Sequence, residues 1–218
     1  HTLIGNNGLT IEDLASFWQA IAKEFSTSKN IYGYGLMNEP HDLAPETKWF
    51  DMAQASINAI REVDTNTLIM VGGNDWSSAE RWIEQSDTLK FLKDPANNLA
   101  FEAHVYFDKD ASGTYKYSYE EEECYPEKGI DRVKPFVEWI KQNKFHGFIG
   151  EYGIPDNDPR WNETLDLFLG YLQENGINGT YWAAGPWWDT YFMAITPKDG
   201  KDRPQMPIIE KYTSTLKK

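Results

Sequence analysis

An α/β fold on parallel strands, a (β/α)8 TIM barrel of which this chain supplies only about strands 4 to 8, is what three features of the sequence predict. Short apolar runs alternate with longer segments whose apolar residues recur every three to four positions. The short runs end in polar or aromatic residues rather than in hairpin turns, so each strand leads into a helix and the sheet is parallel. No exact repeat, low-complexity tract or interdomain linker interrupts the alternation, so 1–218 reads as the C-terminal part of a single domain. A closed barrel takes about 250 residues and each βαβ unit about 30. The 218 residues and five recognisable strands therefore account for five of eight units.

The elements follow in order. Thr10 with Asp13 three residues later, ahead of Ile11, Leu14, Phe17, Trp18, Ile21 and Phe25, predicts a capped amphipathic helix. Ile31 to Met37 is a short apolar strand halted at Asn38-Glu39-Pro40, where proline forbids further pairing. A helix over about Glu46 to Val63 precedes a strand Leu68 to Val71, which ends at Gly72-Gly73-Asn74-Asp75-Trp76. Next come a strand from Leu99 to Phe107, a helix from about Asp131 to Asn143, and a strand Phe148 to Gly150 ending at Glu151. A helix opened by Asp158-Pro159, a strand Thr180 to Trp182 and a last helix after Pro207 complete the series. The long irregular stretch Asp108 to Gly129, rich in Tyr and Glu, suits a loop over a site.

Composition narrows the chemistry. The net charge is 21 − 34 = −13, which disfavours nucleic acid and anionic membrane surfaces, both of which are bound by clustered Lys and Arg. With 9 Trp, 12 Tyr and 11 Phe, the chain can fill a core and keep large rings for a neutral ligand with apolar faces, such as a sugar. No apolar stretch approaches the roughly 18 residues of a spanning helix, and His1-Thr2-Leu3 is not a leader peptide. A first residue other than Met suggests a processed chain or a piece of a longer one. The single Cys124 excludes an intrachain disulfide, and the histidines His1, His41, His104 and His146 form no metal-binding pattern; no metal and no cofactor are expected. Glycine-rich phosphate loops and nucleophile-elbow serines are absent from the sequence. The glycosylation triplets at Asn162 and Asn178 carry little weight.

Residues at the C-terminal ends of parallel barrel strands meet at one face. Those here are Asn38 and Glu39, Asn74-Asp75-Trp76, His104 and Tyr106, Glu151, and Trp182. Hydrolysis of a glycosidic bond needs one carboxyl group to protonate the leaving oxygen and a second to attack or to activate water, a pair that Glu39 and Glu151 would form. His104 and Tyr106 alternate onto one face of their strand. Trp18, Trp49, Trp139 and Trp161 fall on helix patterns and read as packing, whereas Trp182, Trp187 and Trp188 lack helical spacing and are candidate stacking platforms, Trp182 the best placed of them.

Four motifs, Leu36-Met37-Asn38-Glu39-Pro40, His104-Val105-Tyr106, Gly150-Glu151-Tyr152-Gly153 and Tyr181-Trp182, resemble the successive strand-end motifs of glycoside hydrolase family 5, especially its endo-β-1,4-glucanases (cellulases). The resemblance spans nearly the whole chain. It implies a secreted, retaining hydrolase of cellulose or related β-glucans, with Glu39 as general acid/base and Glu151 as nucleophile, their carboxyl groups about 5 to 5.5 Å apart. It also implies that Asn38 holds the sugar 2-hydroxyl, that His104 and Tyr106 position nucleophile and substrate, and that Trp182 lies under a sugar ring, with Trp76 and Trp187 as further binding residues. Mannan, xyloglucan or a β-1,3/1,4-glucan as substrate, or an inactive glycan-binding fragment, remain alternatives. His1-Thr2-Leu3-Ile4-Gly5 resembles the segment just after the family's third-strand motif. The first three βα units are therefore expected on an N-terminal segment or a second chain, covering the apolar strands Ile31 to Met37 and Thr180 to Ala184, which would otherwise be open edges.

Overall fold

The computed structural model describes residue 4 and residues 8–44 and 46–213, so most of His1-Thr2-Leu3-Ile4-Gly5 lies outside the described residues. Elements alternate as expected: α1 (Ile11–Phe25), β1 (Gly33–Gly35), α2 (Trp49–Arg61), β2 (Leu68–Gly72), α3 (Asn74–Ser77), α4 (Trp82–Ser86), β3 (Leu99–Val105), α5 (Lys128–Asn143), β4 (His146–Tyr152), α6 (Arg160–Glu174), β5 (Asn178–Tyr181) and α7 (Met206–Tyr212). Short 3-10 turns lie at Asp87–Phe91 and Pro186–Trp188. The sheet order is β1-β2-β3-β4-β5, and the β1–β2, β2–β3 and β4–β5 pairs are parallel. This is the sequential strand order of a (β/α)8 barrel, with five strands among the described residues. The chain forms two compact units, His1–Ala103 with Glu138–Gly147, and His104–Val137 with Phe148–Lys218.

In the first unit, the Thr10 hydroxyl accepts from the Asp13 N–H while the Asp13 carboxylate accepts from the Thr10 N–H, the reciprocal box that the sequence spacing predicts. Helix α2 buries Met52, Ala53, Ile57 and Ile60 completely or nearly so. An aromatic cluster of Trp82, Phe101, Trp139 and Phe145 fills the space beside β3, with edge-to-face pairs such as Phe101–Trp139 at 4.9 Å. The Trp139 indole N–H donates to Asp87, so the buried ring leaves no polar orphan. At the start of β2 and β3, Arg61 is saturated by charged and carbonyl partners. It forks onto Asp94 and donates to the carbonyl oxygens of Asp64, Thr67 and Asn98.

The second unit is built round Phe107, Trp161, Phe168 and Tyr152, all buried. Its long loop is irregular, as the sequence suggests, but it is not loose. The fully buried Asp108 carboxylate accepts the N–H groups of Gly113, Thr114 and Tyr115, and Glu122 accepts those of Lys109 and Tyr117. Two acidic side chains thus satisfy backbone donors that no sheet partner reaches.

Expectation and structure differ most in two places. The strand over Ile31 to Met37 shrinks to Gly33–Gly35, because only these residues register with Leu68, Ile69 and Met70; the Leu36 N–H still reaches the Met70 carbonyl at 3.1 Å before the chain turns away. The stretch between β2 and β3, given no helix by the sequence, holds α4 and two tight turns. Of these, α3 is a helix in hydrogen bonding alone, since Asp75, Trp76 and Ser77 all have φ of 55°. Left-handed backbone in three successive non-glycine residues has no periodicity to betray it. No helix among the described residues is long and apolar enough to cross a membrane.

One titration follows from this packing. Burial alone would raise the Asp64 carboxyl, but the Thr67 hydroxyl, the N–H groups of Thr67 and Asn66 and the Tyr34 hydroxyl all donate to it and hold its pKa at about 2, against an ordinary 3.8. A depressed folded-state pKa contributes stability that is present above the ordinary value and lost as pH falls toward 2, on the order of 2 kcal/mol. Denaturant unfolding from pH 6 to 2 is expected to show this acid loss, and Asp64→Asn to flatten it.

Candidate active site

The first unit carries Asn38 and Glu39 on a segment pinned from several sides. The Trp18 indole N–H donates to the Leu36 carbonyl at 3.2 Å, and Trp49, buried on α2, donates to the Gly72 carbonyl at 2.7 Å. A Cβ on Gly72 would lie 3.0 Å from the Met37 carbonyl and from the Ser77 hydroxyl, so the end of β2 and the Met37–Pro40 segment approach as closely as glycine permits. Beyond that contact Glu39 has φ of 44°, in the left-handed region, with Asn38 exposed and Glu39 half-buried. Strained backbone of this kind is held only where the surroundings demand it, and it aims Glu39 into a cavity of 220 Å³ that Met37, Asn38, Pro40, Trp49 and Met52 also line.

Next to it, the left-handed turn α3 presents Trp76, 43% exposed, with its ring stacked on His41 at 4.5 Å and an interplanar angle of 15°. Arg81 pairs with Asp75 at 2.7 Å and braces the turn. Pro40, His41, Asn74 and Trp76 line a second cavity of 250 Å³. Its polar walls and flat ring suit a sugar face. His41 was not singled out by the sequence, because one histidine after a proline has no distinguishing pattern.

The second unit gathers His104, Tyr106 and Glu151. His104 is buried near the end of β3 and Tyr106 lies one residue past it, so both side chains point to the same side. Glu151 sits inside β4, which runs two residues further than expected, rather than after it. The Tyr106 hydroxyl donates to Glu151 Oε1, and His104 Nδ1 lies 3.7 Å from Oε2. Burial first, then the negative charge of Glu151, pushes the Tyr106 hydroxyl far above its ordinary pKa. The phenol therefore remains a proton donor, and donation favours the ionised carboxylate.

Trp182 follows β5 directly, its N–H donating to the Tyr152 carbonyl at 2.8 Å, and the Trp182–Ala183 peptide is cis. Its half-buried ring meets Trp188 edge-on at 4.9 Å, and Trp188 in turn meets Tyr191 at 5.0 Å. Trp188 is thus a packing partner of Trp182, whereas Trp187 stands 92% exposed. Tyr191, which sequence reasoning missed, completes this ring cluster through Trp188, and burial leads, ahead of the charge of Glu151, in raising its hydroxyl pKa. It sits in an irregular segment, where no spacing distinguishes it. Among the expected packing tryptophans, Trp49, Trp139 and Trp161 are each 1% exposed.

The profile of the family described as Cellulase (glycosyl hydrolase family 5) matches residues 1–187, and the chain belongs to that family. Endo-beta-1,4-glucanase B of Emericella nidulans is 36% identical over 86% of this chain and 56% of its own length. Endoglucanase Cel5A of Pseudomonas stutzeri, solved in complex with cellobiose, is 42% identical with a TM-score of 0.89 over 98% of this chain and 64% of that one. XacCel5A, solved in complex with cellopentaose, is 38% identical with a TM-score of 0.87 over 96% of this chain and 68% of that one. The chain thus spans a little over half of the curated relative and about two thirds of the solved neighbours.

The geometry around Trp182 makes Gly153 a sensitive position. A Cβ there would lie 2.3 Å from the Trp182 carbonyl oxygen, a backbone atom that cannot swing aside. Gly153→Ala is expected to cost about 1 to 3 kcal/mol of stability in denaturant unfolding. It should also shift the fluorescence of the tryptophan cluster.

Proposed function

We propose that this chain carries the catalytic residues of an endo-acting β-1,4-glucanase that hydrolyses cellulose and related β-glucans with retention of configuration. The observation that carries the proposal is the Glu151 carboxylate, held by the Tyr106 hydroxyl and faced by His104, in a chain of the cellulase family. In the first step Glu151 attacks the anomeric carbon while Glu39 gives its proton to the departing glycosidic oxygen. The products are a glycosyl ester on Glu151 and a sugar with a new free end. In the second step Glu39, now ionised, takes a proton from water; the oxygen attacks the same carbon and the ester bond breaks, restoring both residues. Two inversions leave the configuration as it was.

In this reading Asn38 holds the 2-hydroxyl of the sugar under attack and Trp182 lies beneath a ring, with Trp76 and Trp187 serving rings further along the chain. The cellobiose and cellopentaose complexes of the similar structures support a β-1,4-linked oligosaccharide as the ligand. Cellulose itself is an insoluble polymer that does not enter cells, which supports a secreted enzyme. The remaining βα units of the barrel would come from an N-terminal segment or a second chain, pairing with β1 and β5.

Reducing ends released from carboxymethyl cellulose, with and without that segment, test the activity; mannan and xyloglucan run in parallel test the substrate. Glu39→Gln is expected to cut turnover by about 10²- to 10⁴-fold, the usual range for a general acid. Glu151→Gly should be inactive but rescued by azide, giving a glycosyl azide of inverted configuration; rescue of a Glu39 variant with that stereochemistry would reverse the two roles. Trp182→Ala on a Glu39→Gln background should weaken cellooligosaccharide binding by about 1 to 3 kcal/mol in calorimetry, the scale of one large buried side chain. Unchanged affinity would return Trp182 to packing.

A further inference from the structure

We propose that Tyr115, seated on the long loop with Gly113 beside it, is a positioning residue that holds Tyr106 on Glu151. The inference rests on the functional reading above for its importance but on separate geometry for its substance. Tyr115 is buried, and its hydroxyl occupies a junction: it accepts the N–H of Phe107 at 2.9 Å and donates to the carbonyl of Gly153 at 2.6 Å. Phe107 is the residue after Tyr106, and Gly153 lies two residues after Glu151. One hydroxyl therefore ties the chain just beyond the proton donor to the chain just beyond the carboxylate, past the ends of β3 and β4.

The loop fixes this hydroxyl rather than merely reaching it. Tyr115 has φ of 44°, and its N–H is held by Asp108 at 3.2 Å, the same carboxylate that gathers Gly113 and Thr114. Its ring packs edge-on against Trp161 at 4.9 Å and Tyr106 at 6.4 Å. Gly113, with φ of 71°, lies flat on the Tyr106 ring; a Cβ there would come within 2.9 Å of two ring carbons. The Tyr106 ring is thus clamped on one side by a glycine that leaves it no room. Its backbone is clamped as well: Arg132 donates to its carbonyl, and the neighbouring N–H goes to Tyr115. Burial drives the Tyr115 hydroxyl well above its ordinary pKa, so it stays a donor to Gly153 across the working range of an enzyme.

Tyr115→Phe keeps the ring and removes the junction. The readout that a merely structural role would not move is the Tyr106 hydroxyl proton itself, which a charge-assisted bond to a carboxylate carries far downfield in the proton NMR spectrum and shields from water. In the unsubstituted chain that resonance should be present and should vanish in Tyr106→Phe. In Tyr115→Phe it should move upfield or be lost to exchange with water. Tyr119→Phe, which removes a buried hydroxyl bonded to Thr164 elsewhere in the same unit, should leave it in place. Gly113→Ala gives the same test should Tyr115→Phe not fold, and its resonance should shift likewise. In hydrolysis of a β-1,4-glucan, Tyr115→Phe should lower kcat by about 10- to 100-fold with little change in KM, the cost of a small misplacement of a reacting group. A resonance unmoved in both Tyr115→Phe and Gly113→Ala overturns the proposal, as does a chain with no Tyr106-dependent resonance at all. A chain that shows the shift but hydrolyses no β-1,4-glucan retains the positioning role and loses the functional reading instead.

Discussion

A carboxylate at the end of a strand takes its position from the groups on the segments beside it. Here Tyr106, just past β3, supplies that hold by donating its hydroxyl to Glu151 on β4, and His104 flanks the other carboxylate oxygen. Everything nearby is arranged to keep the donor in place. The loop after β3 folds on the buried Asp108, Gly113 seats the Tyr106 ring, and Arg132 takes its carbonyl. A charge-assisted bond in a partly dry site is stronger than one in water, but only while its geometry is maintained. That requirement explains why an irregular loop buries Asp108, Tyr115, Tyr119 and Glu122.

Close backbone approach is the second constraint, and it recurs where the chain leaves the sheet. Gly72 lets the end of β2 touch the Met37–Pro40 segment, and Gly153 lets the end of β4 touch the carbonyl of Trp182. In each unit a glycine permits the approach, close to Glu39 in one and to Trp182 in the other. Left-handed backbone at Glu39, and at Asp75 to Ser77, does comparable work without glycine and at some conformational cost. The rigid parts of the fold, the aromatic clusters around Trp139 and Trp161, keep those bends from relaxing.

Much of this was legible in the sequence because the relevant signals are local. The Thr10–Asp13 box announces α1, three-to-four spacing announces α2, α5 and α6, and a run of β-strand residues ending in a glutamate announces β4. What stayed hidden depends on long-range contact. The unpaired ends of Ile31 to Met37 are as apolar as the paired middle, and only the register with Leu68 to Met70 separates them. The turn at Asn74–Ser77 contains no glycine to mark its handedness. Tyr115 and Tyr191 lie in segments without periodicity, so neither the junction between the β3 and β4 ends nor the ring contact of Tyr191 with Trp188 has a pattern from which to be read.

The proposed mechanism makes Glu151 the group that bonds to the sugar. A cellobioside with fluorine at C2 and a good leaving group at C1 forms the glycosyl ester quickly and releases it slowly, so the bonded residue can be identified by mass spectrometry of proteolytic fragments. The protein is expected to gain one fluorocellobiosyl mass, carried by the fragment that contains Glu151, and Tyr106→Phe to slow this gain. An adduct on Glu39 or on any other carboxylate would contradict it.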